Sequence, residues 1–224
     1  MNPAVRVAVV DSGVNVPHPH LPSVHGGFSI DLHGREGDDY VDRLGHGTAV
    51  AAAIHEKAPD AEIVVVKVFE TKLATSVPTL VRAIDRAVEE GARLVNLSLG
   101  TPNDLRARQL RPAVDRALER GALIVSARAH DGALWVPGSM EGVVGVVLDW
   151  DQPRETVAAT SMDGTPVLRA SGYPRPIPGV PPRRNLHGIS FAVANATGSL
   201  AAVLRERLEV RTPEQAVALF EAGS

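Results

Sequence analysis

The chain has 224 residues, 44% of them apolar, with 23 Lys and Arg against 26 Asp and Glu and a net charge of −3. That is enough chain for one globular domain with a sizeable core, expected over residues 1–224, and no basic excess points to nucleic acid or an acidic membrane. The absence of cysteine removes disulfides, thiolate chemistry and Cys-ligated zinc, and no apolar run approaches the roughly 18 residues of a membrane span. The first residues, Met1 to Arg6, hold no apolar core of signal-peptide length, so a cytoplasmic protein without a leader is expected.

In chain order, Arg6 to Val10 reads as a buried strand that stops at Asp11. From Thr48, the small residues Ala49, Val50, Ala52, Ala53 and Ile54 predict a closely packed helix. Ile63–Phe69 is a strand, and Val77–Glu90 is an amphipathic helix with Leu80, Val81, Ile84 and Val88 on one side and Gly91 as its stop. Leu94–Gly100 predicts a third strand, a helix around Ala113–Arg120 ends at Gly121, and Ala122–Ser126 and Val143–Leu148 are further strands. Tyr173 to Pro182 holds prolines 174, 176, 178, 181 and 182, which exclude a helix and a central strand and predict an ordered surface loop. Ser190–Leu208 then reads as a long helix, rich in Ala and Gly and buried at its start. Thr212-Pro213-Glu214-Gln215 carries the N-cap, first-turn proline and capping-box spacing that open a last helix. This alternation predicts an α/β fold with a mainly parallel central sheet flanked by helices, and no repeat or linker divides it.

Three polar residues stand out because each is framed by glycine at a junction of these elements: Asp11 in Val10-Asp11-Ser12-Gly13, His46 in Gly45-His46-Gly47-Thr48, and Ser190 in Gly188-Ile189-Ser190-Phe191-Ala192. Taken singly, Asp11 is a turn former, His46 a helix-entry contact and Ser190 an N-cap. Together they supply a nucleophile, its base and the group that orients the base. Asp11 closes a strand where ligands collect in open α/β sheets, and Ser190 opens a helix whose positive end favours a developing oxyanion.

These segments resemble those of subtilisin-like serine proteases, the subtilase family. Val7-Ala8-Val9-Val10-Asp11-Ser12-Gly13-Val14 with His18-Pro19-His20-Leu21 resembles the family's aspartate segment, Gly45 to Ala51 its histidine segment, and Gly188 to Ala192 its serine segment. Ala58-Pro59 before Val66-Lys67-Val68, and Val95 to Gly100, fit in the same order, so the likeness covers nearly the whole chain. The resemblance implies a subtilisin-like three-layer fold and a serine endopeptidase in which Ser190 attacks, His46 moves the proton and Asp11 holds the imidazole. It further implies that Ser98-Leu99-Gly100 and Leu73-Ala74-Thr75 are the edges that hold an extended polypeptide substrate, core packing being the alternative for Leu99.

The chain departs from the family pattern where the family carries an oxyanion-donating asparagine: here Ala127-Arg128-Ala129-His130-Asp131-Gly132 follows the strand, with His130 at the donor's register. A ring N–H can replace the amide; the alternative is that His130 turns outward and activity is low. Ile189 stands where the family usually has threonine, and Val193-Ala194-Asn195 where it has Pro-His, a packing change without evident catalytic consequence. By register Trp135 falls at the wall of the pocket for the residue before the cut, where it would favour Gly, Ala or Ser; a surface-capping role is the alternative.

Strand one begins within six residues of Met1, leaving no room for a folding prodomain. Glu36, Asp38, Asp39 and Asp42 follow no EF-hand pattern and predict a solvated acidic loop, with no metal and no cofactor expected. A protease of this kind needs a restricted substrate, such as a leader or propeptide on one dedicated precursor, as in peptide-modification pathways or quinohemoprotein amine dehydrogenase maturation. Two other readings remain: a pseudoprotease that binds peptides or scaffolds a complex, and a nucleotide-binding α/β domain, for which no Gly-x-Gly-x-x-Gly or phosphate-loop lysine is present.

Overall fold

The computed structural model describes residues 4–221, so the expected unit over 1–224 extends past it at both ends. Five strands, β1 (Arg6–Asp11), β4 (Glu62–Lys67), β5 (Leu94–Leu97), β6 (Leu123–Ala127) and β9 (Val143–Leu148), form the parallel centre of a nine-stranded sheet. To it are added β2 (Gly26–Ile30) and β3 (Glu36–Gly37) at one edge and β10 (Val157–Met162) and β11 (Thr165–Ala170) at the other, giving the order β10-β11-β9-β6-β5-β1-β4-β2-β3. A small separate hairpin, β7 (Ala129–His130) and β8 (Ala133–Leu134), follows β6.

The apolar run of β1 is continuous because both faces of the sheet are covered. Val7 and Val9 pack in the layer of α1 (His46–Lys57) and α4 (Ile189–Leu204), whereas Ala8 and Val10 face α2 (Val77–Glu89) and α3 (Ala107–Glu119). The expected three-layer α/β architecture is therefore what the chain adopts. The Thr212 capping box is formed and opens α5 (Pro213–Ala218), which seals the α1/α4 layer with Ala216 and Val217.

Several boundaries differ from expectation for identifiable reasons. Helix α1 starts at His46 rather than Thr48, so the histidine is part of its first turn. The strand expected to reach Gly100 ends at Leu97, and Ser98 to Gly100 leave the sheet as a free edge. Helix α3 continues back through Pro112 to Ala107, the proline having hidden its first turns, and α4 ends at Leu204 rather than Leu208. Strands β2, β10 and β11 were not expected, since their sequences are short of the Val/Ile runs that mark a buried strand. The turn Asp163-Gly164, with φ of 51° and 74°, was the available signal for the β10–β11 hairpin.

Helices α1 and α4 pack closely because small residues line their contact. A methyl group added at Gly198 would lie 3.0 Å from the Ile54 carbonyl oxygen and 3.0 Å from Lys57 Cβ. Since α1 carries His46 and α4 carries Ser190, this contact fixes their separation. Gly198→Val should cost about 1–3 kcal/mol by overpacking, lowering the melting temperature by several degrees in a thermal scan; an unchanged melting temperature would show that the helices part freely here.

Candidate active site

Asp11 ends β1 at the carboxyl edge of the parallel strands and is 1% exposed. Its Oδ1 accepts from the Ser12 backbone N–H at 2.7 Å and lies 2.7 Å from His46 Nδ1. A carboxylate only accepts, so Nδ1 carries the proton and Nε2 of the neutral ring is left as the acceptor facing outward. The opposite oxygen, Asp11 Oδ2, is buried without a hydrogen-bond partner.

This pairing requires α1 to begin almost in contact with the end of β1, and glycine makes the approach feasible. A Cβ on Gly47 would stand 2.2 Å from the Gly13 carbonyl oxygen and 3.2 Å from Asp11 Cβ; one on Gly13, whose φ is +100°, would stand 2.3 Å from the Tyr40 oxygen. The Ser12 hydroxyl accepts from the Gly47 N–H at 2.9 Å and donates to Asp42 at 2.8 Å.

The expectation of a solvated acidic loop holds for Glu36, Asp38 and Asp39, which are exposed, but not for Asp42. It is 5% exposed, and its carboxylate accepts from the Ser12 and Thr48 hydroxyls and from the N–H groups of Leu44, Gly45 and Thr48 at 2.6–2.9 Å. Burial pushes its carboxyl upward, but the bonds from Thr48, Ser12 and Leu44 outweigh it and hold it below the usual range. Glu36 is also engaged, by Arg82 and Arg86, and Asp39 pairs with Arg43. Burial likewise works to lower His46, yet the hydrogen bond and charge of Asp11, with the charge of Asp42 behind, leave its pKa raised above 6.5.

Ser190 is the second residue of α4, after Gly188 at φ 139°. First-turn N–H groups such as that of Ser190 have no intrahelical acceptor and point out of the helix end. Its hydroxyl donates to the Ser98 carbonyl at 3.3 Å, while the Ser98 hydroxyl donates to the Ser190 carbonyl at 3.1 Å. Buried Asn96 holds this junction: its amide donates to Ser98 Oγ at 3.0 Å and its oxygen accepts from Thr197 at 2.9 Å. The Ser190 hydroxyl is thus turned toward the chain edge rather than bonded to His46, while the His46 ring meets that of Phe191, the residue after Ser190, at 5.7 Å and a tilt of 49°.

A cavity of about 260 Å³ opens beside Ser190, and Ser98, Leu99, Gly100, Leu73, His130 and Trp135 all line it. Ala74 lies farther along, in an adjoining cavity of about 430 Å³ that has Leu73 and Ala74 on one side and Leu99 and Gly100 on the other. Leu99 packs partly against the α2/α3 core as well as lining both cavities, so its two readings are compatible. His130 sits on the β7–β8 hairpin, whose Asp131-Gly132 turn has φ of 50° and 77°. Its Nε2 lies 3.4 Å from Asp131 and its ring meets Trp135 edge-on at 5.3 Å. The Trp135 ring approaches the backbone at Gly100, where an added Cβ would come within 3.0 Å of it. It therefore occupies cavity wall rather than outer surface.

Asp42, Ser12, Asn96 and Thr197 were missed as site residues. A polar residue interrupting the apolar Leu94–Leu97 strand was a usable signal for Asn96; the others reveal themselves only through partners distant in sequence.

The chain is similar to known proteases in sequence and in fold. The family model described as the subtilase family matches residues 2–221. The minor extracellular protease Epr of Bacillus subtilis (strain 168) is 36% identical over 137 residues, covering 57% of this chain and 20% of its own length. An intracellular serine protease of Paenibacillus polymyxa is 26% identical over 219 residues, 89% of this chain and 66% of its own. The chain thus spans from a fifth to just under two thirds of these relatives. Among solved structures, a lanthipeptide protease superposes with a TM-score of 0.72 at 21% identity, covering 96% of this chain and 78% of its own. The prenylagaramide maturation protease PagA gives 0.66 at 25% identity, covering 94% and 80%.

The Asp11–His46 pair makes folding pH-dependent in a definite direction. Because the folded pKa of His46 is raised, its contribution to stability is complete below the unfolded value of about 6.5 and is lost as pH rises through the folded value. An NMR titration of the His46 ring should give a midpoint above that of a free histidine, and Asp42→Asn should lower it by removing a buried charge. A midpoint unmoved by that substitution would remove Asp42 from the electrostatics of the site.

Proposed function

Because the chain belongs to the subtilase family, we propose that it is a serine endopeptidase built from Asp11, His46 and Ser190. The observation that carries this reading is the 2.7 Å bond from His46 to a fully buried Asp11, formed at the same end of the sheet as the Ser190 helix start. Rotation of the Ser190 hydroxyl away from the Ser98 carbonyl hands its proton to His46 Nε2 as Oγ attacks the scissile carbon. The imidazolium, held by Asp11, then protonates the leaving amine, and water repeats the sequence on the acyl-enzyme. The carbonyl oxygen gains charge opposite the Ser190 N–H, and His130, at the register of the family's donor and on the cavity wall, is proposed to donate a second hydrogen bond. The substrate lies extended between Ser98–Gly100 and Leu73–Thr75, and Trp135 restricts the residue before the cut to a small side chain.

The narrower part of the proposal is that a single domain processes one dedicated precursor inside the cell. The names of two similar proteins, a maturation protease and an intracellular serine protease, support it, as does the small cavity beside Ser190. Among the described residues no helix is long and apolar enough to cross a membrane. A peptide-binding pseudoprotease is the second reading, favoured by the Ser190 hydroxyl bonding Ser98 rather than His46. In uncomplexed enzymes such bonds are often loose until substrate arrives, so this geometry leaves the first reading ahead.

A fluorophosphonate probe should label the protein at Ser190 and not in Ser190→Ala, and Asp11→Asn should cut turnover by about 10⁴-fold. With activity in hand, kcat/KM should rise with pH through a midpoint above 6.5, because only neutral His46 accepts the proton. His130→Ala should lower kcat by about 100- to 1000-fold. No labelling at any pH would favour the binding module, and an unchanged kcat in His130→Ala would end its role as donor.

Cleavage of a peptide library should show Gly, Ala or Ser before the cut, and Trp135→Gly should admit Leu and Phe there. Preference for a large aromatic residue in the unaltered protein would refute a cavity filled by Trp135.

A further inference from the structure

Against the first two turns of α1 is a cavity of about 510 Å³ that shares no residue with the one beside Ser190. Its floor is the α1 face bearing Ala49 and Ala52, its walls are His18 and Pro19, and its lid is the proline-rich segment 173–187, which contributes Ile177 and Leu186. Gly45 and Thr48, either side of the His46–Gly47 pair, also line it, so it adjoins the turn of α1 that carries His46. At its mouth Ile177 and Leu186 are 43% and 46% exposed, an apolar surface with nothing covering it.

The segment is fixed in place. Buried Asn195 donates its amide to the carbonyls of Ser171 and Tyr173 at 2.8 and 3.0 Å, Asn185 donates to the Arg175 carbonyl at 3.2 Å, and Arg175 donates to the His20 carbonyl at 3.0 Å. Asn195, which had no evident role in the sequence, is thus an anchor of this lid.

Charge distinguishes the two sides of the cleft. Residues 173–187 contain Arg175, Arg183 and Arg184 and no Asp or Glu, in a chain whose net charge is −3. Arg175 shares Glu56 with Arg154, whereas Arg183 and Arg184 are exposed and have no carboxylate partner among the described residues. In the segments flanking the other two cavities, Glu70 and Lys72, and Asp104 and Arg106, are of opposite charge, and Asp131 lies beside His130. His20, which lines the cavity together with Arg175, is held below its ordinary pKa by burial first and then by the nearby charges of Arg175 and His18.

We infer that this cavity receives the substrate segment that follows the scissile bond, an apolar side chain entering it and acidic residues beyond lying against Arg183 and Arg184. The inference rests on the endopeptidase reading and adds to it the class of substrate: an acidic peptide on the leaving side. A preformed apolar cavity costs little ordering on binding, and the arginines steer and select by charge.

The test uses internally quenched, C-terminally amidated peptides identical before the cut, with Leu or Gly immediately after it and then two Glu, two Gln or two Lys. Ratios of kcat/KM within one preparation cancel differences in folded fraction. The unaltered protein should prefer Glu to Lys by about 5- to 30-fold, and the paired Arg183→Glu, Arg184→Glu variant should reverse the order. Ala49→Phe, which fills the cavity, should collapse the preference for Leu over Gly, leaving the charge preference. A Glu-to-Lys ratio near one in the unaltered protein, or one indifferent to charge reversal, overturns the inference. If no peptide is cut, anisotropy of a labelled downstream peptide on Ser190→Ala decides it: affinity in the order Glu, Gln, Lys sustains the site and equal affinities refute it. Failure of the endopeptidase reading is seen separately, as absence of Ser190-dependent labelling.

Discussion

The start of α1 lies so near the end of β1 that no side chain fits between them, and the geometry of the cleft follows from that contact. Gly47 meets the Gly13 carbonyl, Ser12 ties the Gly47 N–H to Asp42, and Asp42 ties Thr48 back to the same point. Only with the helix seated this deeply does a histidine on its first turn reach a carboxylate on the last residue of the strand. Each buried polar group in the cluster has its bond except Asp11 Oδ2. Such a network holds a ring orientation far more tightly than an exposed ion pair can, because its alternatives leave charge buried and unpaired.

A second contact sets where the nucleophile stands. Helix α4 is apolar nearly all round and runs through the layer beside α1, with Gly198 admitting the Ile54 backbone. Its few buried polar residues each make a specific tie: Thr197 reaches Asn96 and through it Ser98, and Asn195 reaches the start of the segment that returns to Ser190. The helix that presents Ser190 therefore also positions the chain edge on one side of the cleft and the lid on the other. His46 and Ser190, the proposed base and nucleophile, move relative to one another only if two packed helices slide.

On the proposed reading, the smaller cavity lined by Trp135 takes the acyl side of the substrate and the larger, mostly apolar cavity against α1 its leaving side. A general digestive enzyme gains little from that asymmetry. For an enzyme that recognises one precursor it is useful, since a small residue before the cut carries little binding energy and discrimination must come from elsewhere.

The sequence by itself determined the alternation of elements, the covered parallel sheet and the caps of the last helix, and it singled out Asp11, His46 and Ser190 as candidates, of which the structure pairs Asp11 with His46. These are carried by local patterns: apolar runs, glycine framing and capping spacings that depend on neighbours within a few residues. It misjudged Asp42, whose ligands come from Ser12 and Thr48 as well as its own loop, and it was silent on strands β2, β10 and β11, whose burial comes from sheet neighbours rather than from their own composition. Only the tertiary structure decided that Trp135 lines the cavity, that Asn195 anchors the lid, and that a second cavity lies against α1. Each of those depends on surfaces brought together from distant segments, and a pattern along the chain does not encode which of two exposed-looking side chains will find a partner across a cleft.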